Sequence, residues 1–349
     1  MPIVRILVTG GAGFIGSNFI RYLVTERADV EVTNLDKLTY AGNLENLADL
    51  AGEPRFQRRY RFVHGDIADA NLLKELFSAE FDAVINFAAE SHVDRSIENA
   101  QPFLHTNVLG THALLEAARR RGVERFLQVG TDEVYGSAPE GVSFNEGAPP
   151  RPSNPYAASK AAADLLVLSY VHTYGFPAVV LRCSNNFGPY QFPEKLIPLM
   201  IANALEDKPL PVYGDGLNVR DWIYVEDHCR AIYRVLVRGR LGEIYNVGGV
   251  AQRANLDVVR TLLDLLGKPH SHISFVEDRP GHDRRYALDS SKLRRELGWT
   301  PCHSFEEALE HTVEWYSRHP DWLARCRSGA YRDYYRQHYT QRAQTLRRL

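Results

Sequence analysis

The sequence predicts an α/β protein: a doubly wound, mostly parallel sheet with a smaller C-terminal lobe. Three observations predict it. Short β-branched runs alternate with amphipathic stretches through the first half of the chain, as in a parallel sheet covered by helices on both faces. Gly10, Gly13 and Gly16 fall at the first junction between such a run and a helix. Past about Asn185 the rhythm breaks, and Pro189, Pro193, Pro198, Pro209 and Pro211 punctuate shorter elements.

In chain order, residues 5–9 read as a buried strand and 14–26 as a helix. Strands follow at 30–35, 60–64 and 82–88, with a helical stretch at 71–78 between the last two. Residues 101–121 form a long helix with an apolar face, and 125–129 a fifth strand. A second long helix covers 157–174 and a sixth strand 178–183. The expected division is a nucleotide-binding domain over 1–184, with a strand near 244–247 returning to its sheet. A substrate lobe then covers most of 185–325, and a tail covers 326–349. The cleft between the lobes is the expected site.

A chain of 349 residues with a net charge of −2 gives no general reason to expect nucleic-acid or membrane binding. Residues 342–349 are locally basic and read as a solvated tail. The four cysteines, Cys183, Cys229, Cys302 and Cys326, are far apart and form no CxxC pair, which argues against zinc and against a disulfide framework. His92 has no ligand-spaced partners, so no metal is expected. With neither a signal peptide nor an apolar stretch of about 20 residues, a cytoplasmic location is expected.

The segment Gly10-Gly11-Ala12-Gly13-Phe14-Ile15-Gly16 follows the first strand and opens the first helix. Glycine there allows a tight turn and lets backbone N–H groups and the helix N-terminus approach a pyrophosphate. The spacing is GxxGxxG rather than GxGxxG, but the physics of a Rossmann-type dinucleotide site is the same. Asp36 ends the second strand, twenty residues after Gly16. Its carboxylate would accept from ribose hydroxyls and repel a 2′-phosphate, favouring NAD⁺ over NADP⁺. Lys37 beside it softens that repulsion. Asp66 and Ile67 end the third strand, where a side chain reaches an adenine edge or merely makes a turn.

Tyr156 and Lys160 are four residues apart at the start of a helix, so both share one face. A phenol of pKa about 10 is a poor base. A neighbouring ammonium and a positive nicotinamide ring are expected to lower that value. Thr131-Asp132-Glu133 follows the fifth strand. Adjacent carboxyl groups can serve as acid and base if their surroundings split their pKa values; a solvated pair after a strand is the alternative.

Gly10, Gly13, Gly16, Asp36, Asn107, Thr131, Tyr156 and Lys160 together resemble the extended short-chain dehydrogenase/reductase family. Within it, longer stretches resemble the dTDP-glucose 4,6-dehydratases. These are residues 36–43 (Asp36 to Asn43), 88–96 (Ala88 to Ser96), 131–136 (Thr131 to Gly136), 184–190 (Ser184 to Tyr190), 193–198 (Pro193 to Pro198) and 278–283 (Asp278 to Asp283). The resemblance runs from about residue 3 to about 317. It implies that NAD is contacted by Gly10, Gly13, Phe14, Ile15, Gly16, Asp36, Lys37, Thr39, Asp66, Ile67, Ala88, Ala89, Ser91, Thr106, Tyr156, Lys160 and Asn186. It implies that Ser91, Thr131, Asn185, Lys195, Leu196, Pro211, Val212, Tyr213, Arg220, Asn255, Asp278, Arg279 and His282 line a nucleotide-sugar site, with the cations facing a diphosphate.

The resemblance further implies catalysis by Thr131, Asp132, Glu133, Tyr156 and Lys160. Tyr156 would take a C4 hydroxyl proton while hydride passes to NAD⁺. Glu133 as base and Asp132 as acid would then eliminate water across C5–C6, before hydride returns to C6. The sequence alone does not assign acid and base between the two. The substrate implied is dTDP-glucose, and the helices 101–121 and 157–174 are expected to pair two subunits. Val250-Ala251 departs from the family's usual His-Asn. A 4-epimerase or decarboxylase on the same scaffold, and a non-catalytic sensor, are the rival readings.

Overall fold

The computed structural model describes residues 3–248 and 251–327. Arg5–Thr9 carries Ile6, Leu7 and Val8, all fully buried. Side chains alternate across a strand, so both faces of this one need cover. It is β1 of a seven-stranded parallel sheet. Its companions are β2 (Glu31–Asp36), β3 (Tyr60–His64), β4 (Ala83–Asn86), β5 (Arg125–Thr131) and β6 (Ala178–Cys183). Next come β7 (Asn185–Phe187), β8 (Leu210–Tyr213) and β9 (Val219–Tyr224), which belong to smaller sheets, and then β10 (Ile244–Val247), which returns to pair with β6.

The order across the large sheet is β10-β6-β5-β4-β1-β2-β3. Ile6 and Val8 pack with Phe19 and Leu23 of the helix Phe14–Glu26 on one face. Leu7 packs with Leu114 and Leu115 of the helix Thr111–Arg121 on the other. Each such burial contributes about 1.5–3 kcal/mol. Between β1 and β4 the order switches direction, and loops leaving the carboxyl ends there part to opposite faces. That opens the crevice in which a ligand sits in such sheets.

Boundaries differ from the sequence reading by a few residues, for local reasons. β5 runs on to Thr131 because its ladder with β6 continues to Thr131 opposite Cys183. The helix Pro155–Tyr174 starts two residues early. Asn154 accepts from Ala157 N at 2.9 Å and caps it, and Pro155 takes the first position, where a proline loses nothing. The helix expected over 101–121 is interrupted by a π-helical segment, Leu104–Gly110. Asn107 sits inside it, fully buried, accepting from Glu90 N at 2.9 Å and donating to Ser159 Oγ at 2.8 Å. These contacts come from distant segments, so no local pattern foretold them.

With β11 (Ala251–Ala254) and β12 (Ile273–Val276), the remaining strands form a three-stranded sheet, β11-β9-β7, and a two-stranded one, β12-β8. Phe187, Trp222, Leu262 and Leu309 centre the core beneath them. Among the described residues no helix is long and apolar enough to cross a membrane, and no group of His, Cys, Asp and Glu is arranged to hold a metal. Val250 and the tail from residue 328 on lie outside the described residues.

Candidate active site

The glycine turn after β1 is held from both sides. Gly10 has φ +72°, and a Cβ there would lie 2.6 Å from Ala88 N. A Cβ on Gly16 would run into Gly10 O. Gly13 caps the helix Phe14–Glu26 without any side-chain hydrogen bond, leaving first-turn N–H groups for an anion. Asp36 supports the turn directly: Oδ2 accepts from Ala12 N at 2.9 Å and Oδ1 from Leu38 N at 2.8 Å. Each carboxylate oxygen still has acceptor capacity, so Asp36 can also take the ribose hydroxyls expected of it. Lys37 is turned to Asp66, 2.6 Å away.

All seventeen residues named above for a dinucleotide line one cleft, and it continues past Thr131, Asp132 and Glu133 to Asn185, Asn186 and Lys195. The residues named for cofactor and catalysis are therefore brought together, with Ser91, Thr131, Asn185 and Lys195 of the substrate set, whereas Leu196, Pro211 to Tyr213, Arg220, Asn255, Asp278, Arg279 and His282 are not among the residues lining this cleft. Thr131 caps the single turn Asp132–Tyr135 and accepts from Glu133 N at 3.3 Å, while its hydroxyl donates to Asp132 Oδ1 at 3.3 Å. Tyr156, 8% exposed, reaches the same end of the cleft with Thr131 beside its hydroxyl.

The two carboxyl groups are not equivalent. Burial pushes Asp132 well above an aspartate's usual range, and Glu133 and Asp221 push it further. Its Oδ2 is buried with no partner, as suits a protonated acid with a proton to give. Burial also raises Glu133, but Arg279, Lys195 and Arg220 all oppose the rise. The split leaves Asp132 as the better acid and Glu133 as the better base.

Taken together, the groups of the protein around Tyr156 do not themselves lower its hydroxyl. Burial, then Glu133 and Cys183, raise its hydroxyl well above a phenol's ordinary value. The Lys160 ammonium is directed to Val129 O at 2.7 Å, and burial lowers Lys160 while Asp164 opposes that. The protein's own groups thus favour the phenol, and the positive nicotinamide ring expected beside it is the charge that would oppose them.

On the far side of Glu133, Arg220 is 5% exposed, its guanidinium 4.3 Å from the Tyr286 ring centre and bonded to Asp283 O at 3.0 Å. Lys195 donates to Ser91 O at 2.8 Å and caps the helix that Leu196 opens. Asn255 opens another helix, with its Oδ1 buried and unpartnered; the Asn185 Oδ1 is the same. His282 pairs with Asp278 at 2.6 Å, yet burial, Arg279 and Arg220 push it down to about 4. It offers a neutral ring rather than the expected charge. Pro211, Val212 and Tyr213 form most of β8. Val212 is 1% exposed and packs in the core, leaving only its backbone to a ligand.

Several polar residues here escaped the sequence reading. Tyr286 donates to Asp283 Oδ2 at 2.8 Å and lies 3.5 Å from Glu133 Oε2. Glu194 is buried and faces Arg95 at 3.4 Å. Asp164 pairs with Arg182 at 2.8 Å beneath Lys160. Each adjoins a motif already singled out, and that proximity is the only signal the sequence offered.

A family model described as GDP-mannose 4,6 dehydratase matches residues 7–312. The chain belongs to that family. A curated relative from Xanthomonas campestris pv. campestris (strain B100), named dTDP-glucose 4,6-dehydratase, is 54% identical over 345 residues, 93% of this chain and 97% of that protein. A crystal structure of a dTDP-glucose 4,6-dehydratase from Streptomyces venezuelae with NAD bound is 51% identical, with a TM-score of 0.89, covering 93% of this chain and all of that one. A UDP-glucose 4-epimerase from Thermus thermophilus, in complex with NAD, is 34% identical with a TM-score of 0.82, covering 90% and 99%. The family resemblance read from the sequence is borne out. The fold is shared with epimerases, so the residues of the site have to decide the reaction.

Proposed function

We propose that the protein is an NAD⁺-dependent dehydratase converting dTDP-glucose to dTDP-4-keto-6-deoxyglucose. One observation carries the reading: two carboxyl groups with opposed electrostatic surroundings, Asp132 and Glu133, share the cleft end that Tyr156 enters. A 4-epimerase has no use for such a pair. The glycine turn, the free first-turn amides and Asp36 fit a dinucleotide. NAD⁺ bound there supplies the hydride acceptor for C4, the donor for C6 and the positive charge that Tyr156 lacks. Tyr156 accepts the C4 hydroxyl proton, with Thr131 orienting both. Oxidation at C4 acidifies the C5 proton, which Glu133 removes while Asp132 protonates the departing C6 hydroxyl; as hydride then reaches C6, Glu133 returns a proton to C5. Lys195, Arg220 and Arg279 face the diphosphate, with Asn185 and Asn255 as further polar contacts.

We place the division between cofactor and substrate lobes after Ser184. Two subunits pair through the helices over 101–121 and 157–174, whose Leu104, Leu109, Leu165 and Tyr174 are exposed. Four cysteines outside any disulfide suit the cytoplasm. With dTDP-glucose, the wild type is expected to yield the 4-keto-6-deoxy product with no net NADH. Glu133→Gln should lose elimination by about 10²–10⁴-fold while still oxidising C4. Absence of product from the wild type, or full elimination by Glu133→Gln, overturns the assignment.

A further inference from the structure

We propose that Asp94 is a positioning residue: it fixes the cationic wall of the substrate pocket against the cofactor lobe by holding Arg279 and Tyr213 at once. The inference rests on the dTDP-glucose reading of the site. Asp94 lies in the first turn of the short helix Val93–Glu98, just past the cleft residue Ser91. It is 5% exposed. A carboxylate so deep is tolerated only when its oxygens are paired.

Both oxygens are paired across the lobes. Oδ1 accepts from Arg279 Nη1 at 3.2 Å, and Oδ2 accepts from the Tyr213 hydroxyl at 2.9 Å. Tyr213 ends β8, Arg279 lies three residues beyond β12, and β8 and β12 pair with Tyr213 opposite Val276. One carboxylate therefore ties down both strands of the small sheet. The same segment of the cofactor lobe takes Lys195 through Ser91 O at 2.8 Å and Glu194 through Arg95 at 3.4 Å.

The tie also sets the charge around Arg279. Asp94 and then Glu133 are the leading carboxylates acting on Arg279. Once the Asp94 charge is removed, Glu133 is the stronger remaining attraction for that guanidinium. Arg279 Nε is buried without a hydrogen-bond partner, so little else holds the group in place. Arg279 would then no longer be held facing the diphosphate.

The test compares Asp94→Asn and Asp94→Glu with the wild type, as NAD-loaded proteins. Calorimetry reads dTDP affinity, and steady-state assays with dTDP-glucose read KM and kcat separately. Asp94→Asn is expected to weaken dTDP binding and raise KM about tenfold or more, with kcat within about threefold and bound NAD at the wild-type level. Asp94→Glu, which keeps the charge, should fall between the two. The proposal is overturned if Asp94→Asn binds dTDP as the wild type does. It is equally overturned if kcat and bound NAD fall in step with dTDP affinity, which marks a general structural role. A wild type that binds dTDP but leaves dTDP-glucose unchanged defeats the functional reading instead, and the binding comparison still tests the clasp.

Discussion

Asp132 and Glu133 are neighbours in sequence with different surroundings. Asp132 faces only like charge and burial in its leading influences, with Arg220 a lesser opposing one, whereas Glu133 faces three cations. The sequence set the two side by side but could not tell their surroundings apart, because Arg279, Lys195 and Arg220 arrive from distant segments. Spacing likewise reveals the lysine beside Tyr156 but not the carbonyl of Val129 that engages it. The split has a consequence for stability. Asp132 has a folded pKa raised above its unfolded value, whose ordinary figure is 3.8. Its neutral form therefore stabilises the fold fully below that figure, and the benefit is lost as pH rises through the raised value. Asp132→Asn cannot ionise. Its Tm relative to wild type is expected to climb with pH between 4 and 8 in thermal melts, while its elimination activity is lost. A flat difference across that range would show that Asp132 is already ionised in the folded protein.

At the scale of elements, several strands were legible: β1, β3, β6 and β10 match the sequence reading residue for residue, although only β1, β6 and β10 are largely buried. Ends set by pairing or capping were not. β5 gains two residues from its β6 ladder, and the π-helical Leu104–Gly110 carries Asn107, which bonds the segments at Glu90 and Ser159. The catalytic helix shows what a cap does for function. Asn154 Oδ1 satisfies the backbone N–H of Ala157, which lies between Tyr156 and Lys160 in the first turns. Asn154→Ala is expected to cost about 1 kcal/mol of stability, read by urea unfolding, whereas Asn154→Asp should recover most of it. Equal losses in both variants would mean that the cap is not what Asn154 contributes.

For the whole molecule, a glycine turn and a switch point in the large sheet set the crevice, and Phe187, Trp222, Leu262 and Leu309 centre a separate core under the smaller sheets. What patterning could not supply were the single polar contacts between distant segments, such as Asp94 with Arg279. The large side chains Leu104, Leu109, Leu165 and Tyr174 remain 52–61% exposed on helices that pack together, an apolar surface of the kind that marks an interface. Leu109→Glu with Leu165→Glu should convert a dimer to a monomer in sedimentation velocity. An unchanged sedimentation coefficient would exclude that face as the contact.

In the proposed reaction one cleft oxidises C4, eliminates water across C5–C6 and reduces C6 within a single binding event. Substrate dTDP-glucose carrying deuterium at C4 tests it directly, with the product read by mass spectrometry and NMR. The label should appear in the C6 methyl group of the 4-keto-6-deoxy product, without dilution by solvent hydrogen. Label recovered at C4 of an intact hexose, or released to water, would contradict it.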